Sequence, residues 1–448
     1  MKSTLILLIL ALSTSLAQTP RVLSVDEAVE LGLASSRTVE TTSARADAER
    51  ARATEINAQR LPALIAAGGY TRIQDGKFRL STTNLPQPLP VGDVVVDNVV
   101  LRLGLRQPLF TGFRLSGAAD AADLQADASA LEVVRARENV RFVVTAAYWT
   151  LHQAREVLRS AGENVKRLGS YREDTERLVK AGLMTTNDQL RVEVQYSNSQ
   201  IARLEARDAA RLAEMDLNIL LGLPQDTPIG LASRPAEAIQ EDTLSGDIDL
   251  ADLIDDAAVQ RSDIEAASLR VASAEAGIRA ARGAWWPQIE LSANYLYNNP
   301  NSRYQPITPE FLGSWDVGVS FAFELWNWGA TGSRVEQAEA AMRQAKLAEQ
   351  ELRDHLSREV HGAVLAVQRA REKIALATLV LSQARENLRA ETDRFATGLA
   401  SSTDLLDAEV SLVNAETQSS GAEVEYALSV AALRRALGIE RSGNGDAR

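Results

Sequence analysis

The sequence predicts an α+β membrane protein made of one duplicated unit, in which a strand pair leads into a long α-helical hairpin. Three observations predict it. Residues 110–223 recur as residues 326–439 at a constant offset of 216, with no gap. Each copy carries a sustained apolar seam of helical period. Amphipathic strands of about ten to thirteen residues stand in front of each seam.

The repeat is read residue by residue. Gly182, Leu190 and Gly222 return as Gly398, Leu406 and Gly438. Ala154-Arg155-Glu156 returns as Ala370-Arg371-Glu372, and Asp188, Glu193, Val194 and Asn198 return as Asp404, Glu409, Val410 and Asn414. Loop lengths are kept along with residues. A chain of 448 residues could form two or three globular domains, but an internal repeat of this kind argues for one duplicated architecture.

The seam runs Val140, Val144, Ala147, Leu151, Ala154, Leu158, Ala161, Val165, Leu168, in steps of four and three. Its copy runs Leu356, Val360, Ala363, Val367, Ala370, Ile374, Ala377, Leu381, Ala384. Every position is apolar in both, over more heptads than coiled-coil packing requires. Alanines alternate with larger residues, so neighbouring helices can approach closely. No proline interrupts residues 109–223, and a helix over 112–181 spans roughly 100 Å at ~1.5 Å per residue.

Composition narrows the class. Residues 1–17 read as a secretory signal: Lys2, an apolar run from Leu5 to Leu12, and the small-x-small site Ser15-Leu16-Ala17. That run is too short to span a bilayer, and no later stretch of eighteen apolar residues follows. The absence of cysteine excludes disulfides, thiol chemistry and lipidation at Gln18, so the mature chain is expected not to be lipidated. The net charge of −12 makes it a poor partner for nucleic acid.

The expected organisation follows in order. The first repeat covers 18–223: a helix over 24–60 opened by the capping box Ser24/Glu27, strands over 63–78 and 94–108, then the long hairpin turning at Gly182-Leu183. Residues 224–249, rich in Pro, Gly, Asp and Thr, read as a linker with little regular structure. The second repeat covers 250–439: a helix to about Gly283, strands over 287–299 and 313–326, and a hairpin turning at Gly398-Leu399. Residues 440–448 form a polar tail.

The strands alternate. Ile289, Leu291, Ala293, Tyr295 and Tyr297 oppose Glu290, Ser292, Asn294 and Asn298. Trp315, Val317, Val319, Phe321 and Phe323 oppose Asp316, Gly318, Ser320 and Glu324. These lengths suit transmembrane β-strands, and Trp285, Trp286, Trp315, Trp326 and Trp328 stand at strand ends, where an aromatic girdle sits. A soluble half-buried sheet alternates in the same way. In lipid, four strands cannot close a barrel and open edges are not tolerated, so a membrane reading requires several chains to share one barrel.

This layout resembles the TolC-type outer-membrane efflux channels, the outer-membrane factor family. So do Phe395-Ala396-Thr397-Gly398-Leu399 followed by Asp404-Leu405-Leu406-Asp407, and the opening Leu23-Ser24-Val25-Asp26-Glu27-Ala28-Val29. The resemblance implies a homotrimer with a twelve-stranded barrel in the outer membrane, continued by a periplasmic α-helical barrel. It implies docking on a periplasmic adaptor and an inner-membrane pump, whose energy drives export, so that the channel is no enzyme. It assigns Asp404 and Asp407 to an acidic ring at the pore entrance, and Gly182, Leu183, Gly398 and Leu399 to hairpin tips that meet the adaptor. The plain alternatives are that Asp404 caps a helix and the glycines serve only the turns. In well-known members a tyrosine and an arginine near this turn latch the closed entrance. Here those positions are Phe395 and Ala400, with Asn187 and Asp188 retained on the other hairpin. A closed state held more by packing than by polar links is the expectation.

No other chemistry emerges. His152, His355 and His361 lack the spacing of a helical metal pair, and there is no nucleophile motif or phosphate-binding glycine loop. No cofactor and no metal are expected, and carboxylates read as scattered over solvated helix faces. Two other classes stay open: a periplasmic adaptor-like protein and a secreted coiled-coil scaffold. The first has one hairpin flanked by β domains, and the second leaves the strands and tryptophans unexplained.

Overall fold

The structure is a computed structural model that describes residues 21–80, 89–93, 95–235 and 249–439. The expected signal segment 1–17 and tail 440–448 lie outside the described residues. The elements in order are β1 (Arg21–Leu23), α1 (Val25–Ser35), α2 (Arg37–Ala58), β2 (Ala63–Arg72), β3 (Lys77–Leu80), β4 (Leu89–Asp93), β5 (Asp97–Phe110), α3 (Arg114–Lys180), α4 (Thr186–Leu220) and β6 (Ile229–Leu231). Then come α5 (Leu250–Gln260), α6 (Ser262–Arg282), a short 3₁₀ turn, β7 (Gln288–Asn299), β8 (Leu312–Ala322), α7 (Ala330–Ala396) and α8 (Ser402–Leu437). No helix among the described residues is long and apolar enough to cross a membrane.

The chain divides into two compact units. The first is helical, formed by residues up to Thr41, Val134–Ser262 and from Arg353 onward. The seam lies inside it in both copies. Val144, Leu151, Leu168, Leu356, Val360 and Ala370 are fully buried, and none of the eighteen seam positions is exposed. The two α-helices that carry the seam, α3 and α7, have 67 residues each.

One end of this unit has a core of Leu23, Val29, Tyr148, Trp149, Leu217, Ile229 and Val424. Tyr148 brings its hydroxyl there without leaving it unpaired. It donates to the Leu23 carbonyl at 3.0 Å and accepts from the Ser233 amide at 3.0 Å. Around it, β1 and β6 pair in parallel, Arg21 to Ile229 through Leu23 to Leu231. Residues 224–249 therefore hold a strand where an unstructured linker was expected. The reason is tertiary: three residues gain ladder bonds only because Leu23 and Ile229 are buried side by side. Residues 236–248 of that segment lie outside the described residues.

Two single helices expected from periodicity are each two. The 24–60 helix breaks at Ser36, whose backbone is extended and whose Oγ accepts from the Val39 amide at 3.3 Å, starting α2. The 250–283 helix breaks at Arg261, also extended. Apolar period alone does not register a one-residue interruption that keeps the same face.

The second unit contains Thr42–Val133 and Asp263–Leu352. Its antiparallel sheet has the order β2-β5-β7-β8. The first strand is shorter than the expected 63–78, ending at Arg72, and Lys77–Leu80 pairs instead with Leu89–Asp93, between the two expected strands. Register puts Ala66, Leu103, Tyr295 and Trp315 in one row, and Leu64, Leu105, Ala293 and Val317 in the next. One face is thus continuously apolar, and it is bare: Trp315 is 73% and Phe321 67% exposed. The other face carries the charged and amide groups, beside Ile65, Val100 and Leu296. There Arg102 donates to Asn294 at 2.6 and 2.9 Å, Asn294 to Asp316 at 2.7 Å, and Arg106 pairs with Glu290 at 3.2 Å. The outer edges of β2 and β8 pair with no strand among the described residues.

Candidate functional site

The two hairpin turns are built alike. At the first, Gly182 has φ +72°, its amide donates to the Val179 carbonyl at 3.0 Å, and the Leu183 amide donates to Leu178 at 2.9 Å. At the second, Gly398 has φ +75°, with its amide on Phe395 at 3.0 Å and the Leu399 amide on Arg394 at 2.8 Å. Both are left-handed helix ends that satisfy the last carbonyls. A Cβ on either glycine would meet nothing within 4 Å, so conformation and not space requires glycine here. The leucines that follow are bare: Leu183 is 74% and Leu399 72% exposed.

The return helices start with matching capping boxes. Thr185 Oγ1 accepts from the Asp188 amide at 3.2 Å, while Asp188 Oδ2 accepts from the Thr185 amide at 3.1 Å. Ser401 and Asp404 repeat this at 3.2 and 2.9 Å. Hydrogen bonds from Thr185 and Ser402 hold the Asp188 carboxyl below its ordinary range, and those from Ser401 do the same for Asp404. Both remain ionised at neutral pH. Asp404 thus performs the capping role, and its charge remains available at an exposed position.

Further bonds join one hairpin to the other within the chain. Ser402 Oγ donates to Asp188 Oδ1 at 3.0 Å, and Arg191 Nη1 to Thr403 Oγ1 at 3.1 Å. Tyr171 and Thr392 hydroxyls meet at 3.3 Å. Phe395 packs against the buried cluster that includes Leu388, Leu405 and Ala408. Asn187 is exposed in the first turn of α4. Asp407 is exposed in an open groove with Arg191. The lining of that groove pairs repeat equivalents: Leu190 with Leu406, Val194 with Val410, and Arg191 with Asp407. The copies match there in shape and differ in charge.

One group does not fit the picture of carboxylates on solvated faces. Glu409 is 1% exposed. Arg167 Nε reaches its two oxygens at 3.1 and 2.9 Å across from α3. Burial pushes the Glu409 carboxyl up, while Arg167 pulls it back down. One heptad on, Ser160 Oγ hydrogen-bonds to Glu416. The repeat partner Glu193 is 49% exposed, with Arg172 only at 4.0 Å. Sequence reasoning missed this pair, although the signal was present: the repeat equivalent of Arg167 is Gln383, so one copy has lost its cation. Among the described residues no group of three or more His, Asp or Glu side chains could hold a metal ion.

Residues 28–223 and 253–439 match the family described as outer membrane efflux protein. The chain belongs to that family. Outer membrane protein TolC of Vibrio cholerae serotype O1 is 24% identical over 332 residues, covering 71% of this chain and 72% of that protein. Protein CyaE of Bordetella pertussis is 26% identical over 265 residues, 58% of this chain, and the match spans about half (55%) of its length. The crystal structure of the outer membrane protein VceC from Vibrio cholerae superposes with a TM-score of 0.76 at 21% identity, covering 93% of this chain and 97% of that one. As a member of the family, the chain is an outer-membrane efflux protein that extends into the periplasm, and family and fold are those of channels. The adaptor-like and scaffold readings are thereby set aside.

The buried pair gives a testable consequence. Arg167→Met leaves Glu409 without its cation and should lower stability by about 3 kcal/mol at neutral pH. Denaturant unfolding of the detergent-solubilised protein measures it. Burial already raises the Glu409 pKa, and loss of Arg167 raises it further, so the deficit should shrink as the pH falls and Glu409 takes up a proton. A deficit of the same size at every pH would mean that Arg167 acts by packing alone.

Proposed function

We propose that three copies of this chain form the outer-membrane exit duct of a tripartite export system. Each contributes four strands to a shared twelve-stranded barrel and two hairpins to a periplasmic helical barrel. The observation that carries this reading is the sheet. Its apolar face is bare, its opposite face carries a polar ladder, and neither outer edge pairs with a strand among the described residues. Lipid tolerates the apolar face but not the edges, and closing them with copies of the same sheet puts the polar faces around water. In this reading Leu183 and Leu399, at the exposed tips, meet a periplasmic adaptor that links the duct to an inner-membrane pump. The pump supplies the energy, and the duct itself catalyses nothing.

Asp404 and Asp407 act in this reading as a three-fold acidic ring that favours cations at the entrance. Asp188, Asn187 and Phe395 belong to the contacts that hold the entrance closed. Hydrogen bonding of Asp188 to Ser402 and packing of Phe395 on α8 support that role.

Three measurements test the reading. Light scattering on protein extracted from outer membranes should give three times the mass of one chain, only in detergent. A monomer soluble without detergent would sink it. Asp404→Asn combined with Asp407→Asn should reduce the preference for cations in planar-bilayer recordings. Asparagine keeps the capping acceptor, so a loss of selectivity without a loss of stability separates the ring from the cap. Phe395→Tyr combined with Ala400→Arg should lower single-channel conductance by adding polar links to the closed state, and unchanged conductance would remove the support for a packed latch.

A further inference from the structure

At the end of α8 away from the tip, the helical unit contains a cavity of about 240 Å³. The first turns of α1, the middle of α3, the segment after β6 and the last turns of α8 line it, and it opens to the surface. Its floor is apolar and aromatic, with Val29, Phe142, Trp149 and Val430. Its charged groups are mostly of one sign. Lys and Arg make up 48 of 448 residues in this acidic chain. Yet Arg141, Arg234, Arg434 and Arg435 all stand among the seventeen residues that line this one cavity.

Asp26 and Arg234 have partners of their own, and the Glu138 carboxylate is engaged by Arg135 at 2.9 Å and Ser262 at 3.4 Å, so the balance at the cavity turns on Arg141, Arg434 and Arg435. Among the arginines, Arg435 is held: it bonds Glu359 at 3.2 Å and lies over the Phe142 ring at 4.4 Å. Arg141 has a weak tie, 3.6 Å to Glu30, whose side chain is mostly in solvent. The Arg434 side chain makes no hydrogen bond or ion pair with any described residue. A basic residue in the last turn of a helix ordinarily complements the exposed carbonyls. Here the carbonyls of Arg434 and Arg435 already accept from the Ile439 and Gly438 amides at 3.1 and 3.3 Å. Arg434 therefore carries a charge at the rim of a cavity without a partner to explain it.

We propose that this cavity is a binding site for a small organic anion, a carboxylate carried on a flat apolar body. The guanidinium of Arg434, with Arg141 beside it, takes the carboxylate, since charge-assisted bonds from arginine suit a planar oxyanion. Phe142, Trp149 and the valines take the ring. A water occupies about 30 Å³ of liquid, so the space suits one ring and its acid group and excludes a large solute. A cation would meet surplus positive charge, and a purely inorganic anion would leave the apolar floor unused. The site is independent of the acidic entrance, and the inference does not rest on the assembly proposed above.

The test uses the full-length protein in detergent, with sodium benzoate as the probe and benzylamine and inorganic phosphate beside it. Isothermal calorimetry should give saturable binding for benzoate and none for benzylamine, and benzoate should quench tryptophan fluorescence in step. Arg434→Gln should weaken benzoate roughly tenfold, the loss of one charge-assisted hydrogen bond. Because Arg434 has no described partner, this variant should melt like the wild type. Ala431→Leu fills the space without altering charge and should abolish binding. Absence of saturable benzoate binding, equal affinity in Arg434→Gln and Ala431→Leu, or phosphate binding as tight as benzoate would each overturn the assignment.

Discussion

The helical unit depends on burial of one seam, repeated in two helices of 67 residues. Helices of that length gain little from propensity alone, and their register is set by what their apolar stripe packs against. Because the stripe alternates alanine with valine, leucine or isoleucine, side chains from adjacent helices fit between small residues. That close approach brings Arg167 to Glu409, Tyr171 to Thr392 and Asp188 to Ser402. The polar contacts near the tips are consequences of seam packing, and a seam shifted by one turn would separate all of them.

The sheet obeys a different constraint. A strand in water hides its apolar face against a core, whereas here the row Ala66, Leu103, Tyr295 and Trp315 faces outward, and the polar ladder from Arg102 through Asn294 to Asp316 lies on the other side. This is the inversion expected where lipid takes the place of a core. The outer edges of β2 and β8 pair with no strand among the described residues.

The two repeats carry equivalent hairpins that differ in charge and burial at particular positions. Gly182 and Gly398, Thr185 and Ser401, and Asp188 and Asp404 keep the same turn and the same cap. Arg191 and Asp407 differ in charge at one shared groove, while Glu193 and Glu409 share identity but not burial. Identity at a repeat position therefore preserves local backbone chemistry, which depends on neighbours along the chain. It does not preserve environment, which depends on the helix across the interface.

The sequence by itself determined the duplication, the seam, the strand alternation, the two turns and the capping box at Ser24, and it left open whether Asp404 serves a cap. Each of these arises from residues a few positions apart, so spacing alone reports them. Only the tertiary structure decided that Ile229–Leu231 is a strand, that Ser36 and Arg261 divide helices, and that Glu409 is buried on Arg167. It also gathered arginines from α3, the segment after β6 and α8 around one cavity. The two helix breaks are single extended residues that keep the apolar face, whereas the strand, the buried pair and the cavity join residues tens to hundreds of positions apart. Their energies come from desolvation and cross-helix contact, for which a linear period carries no signal.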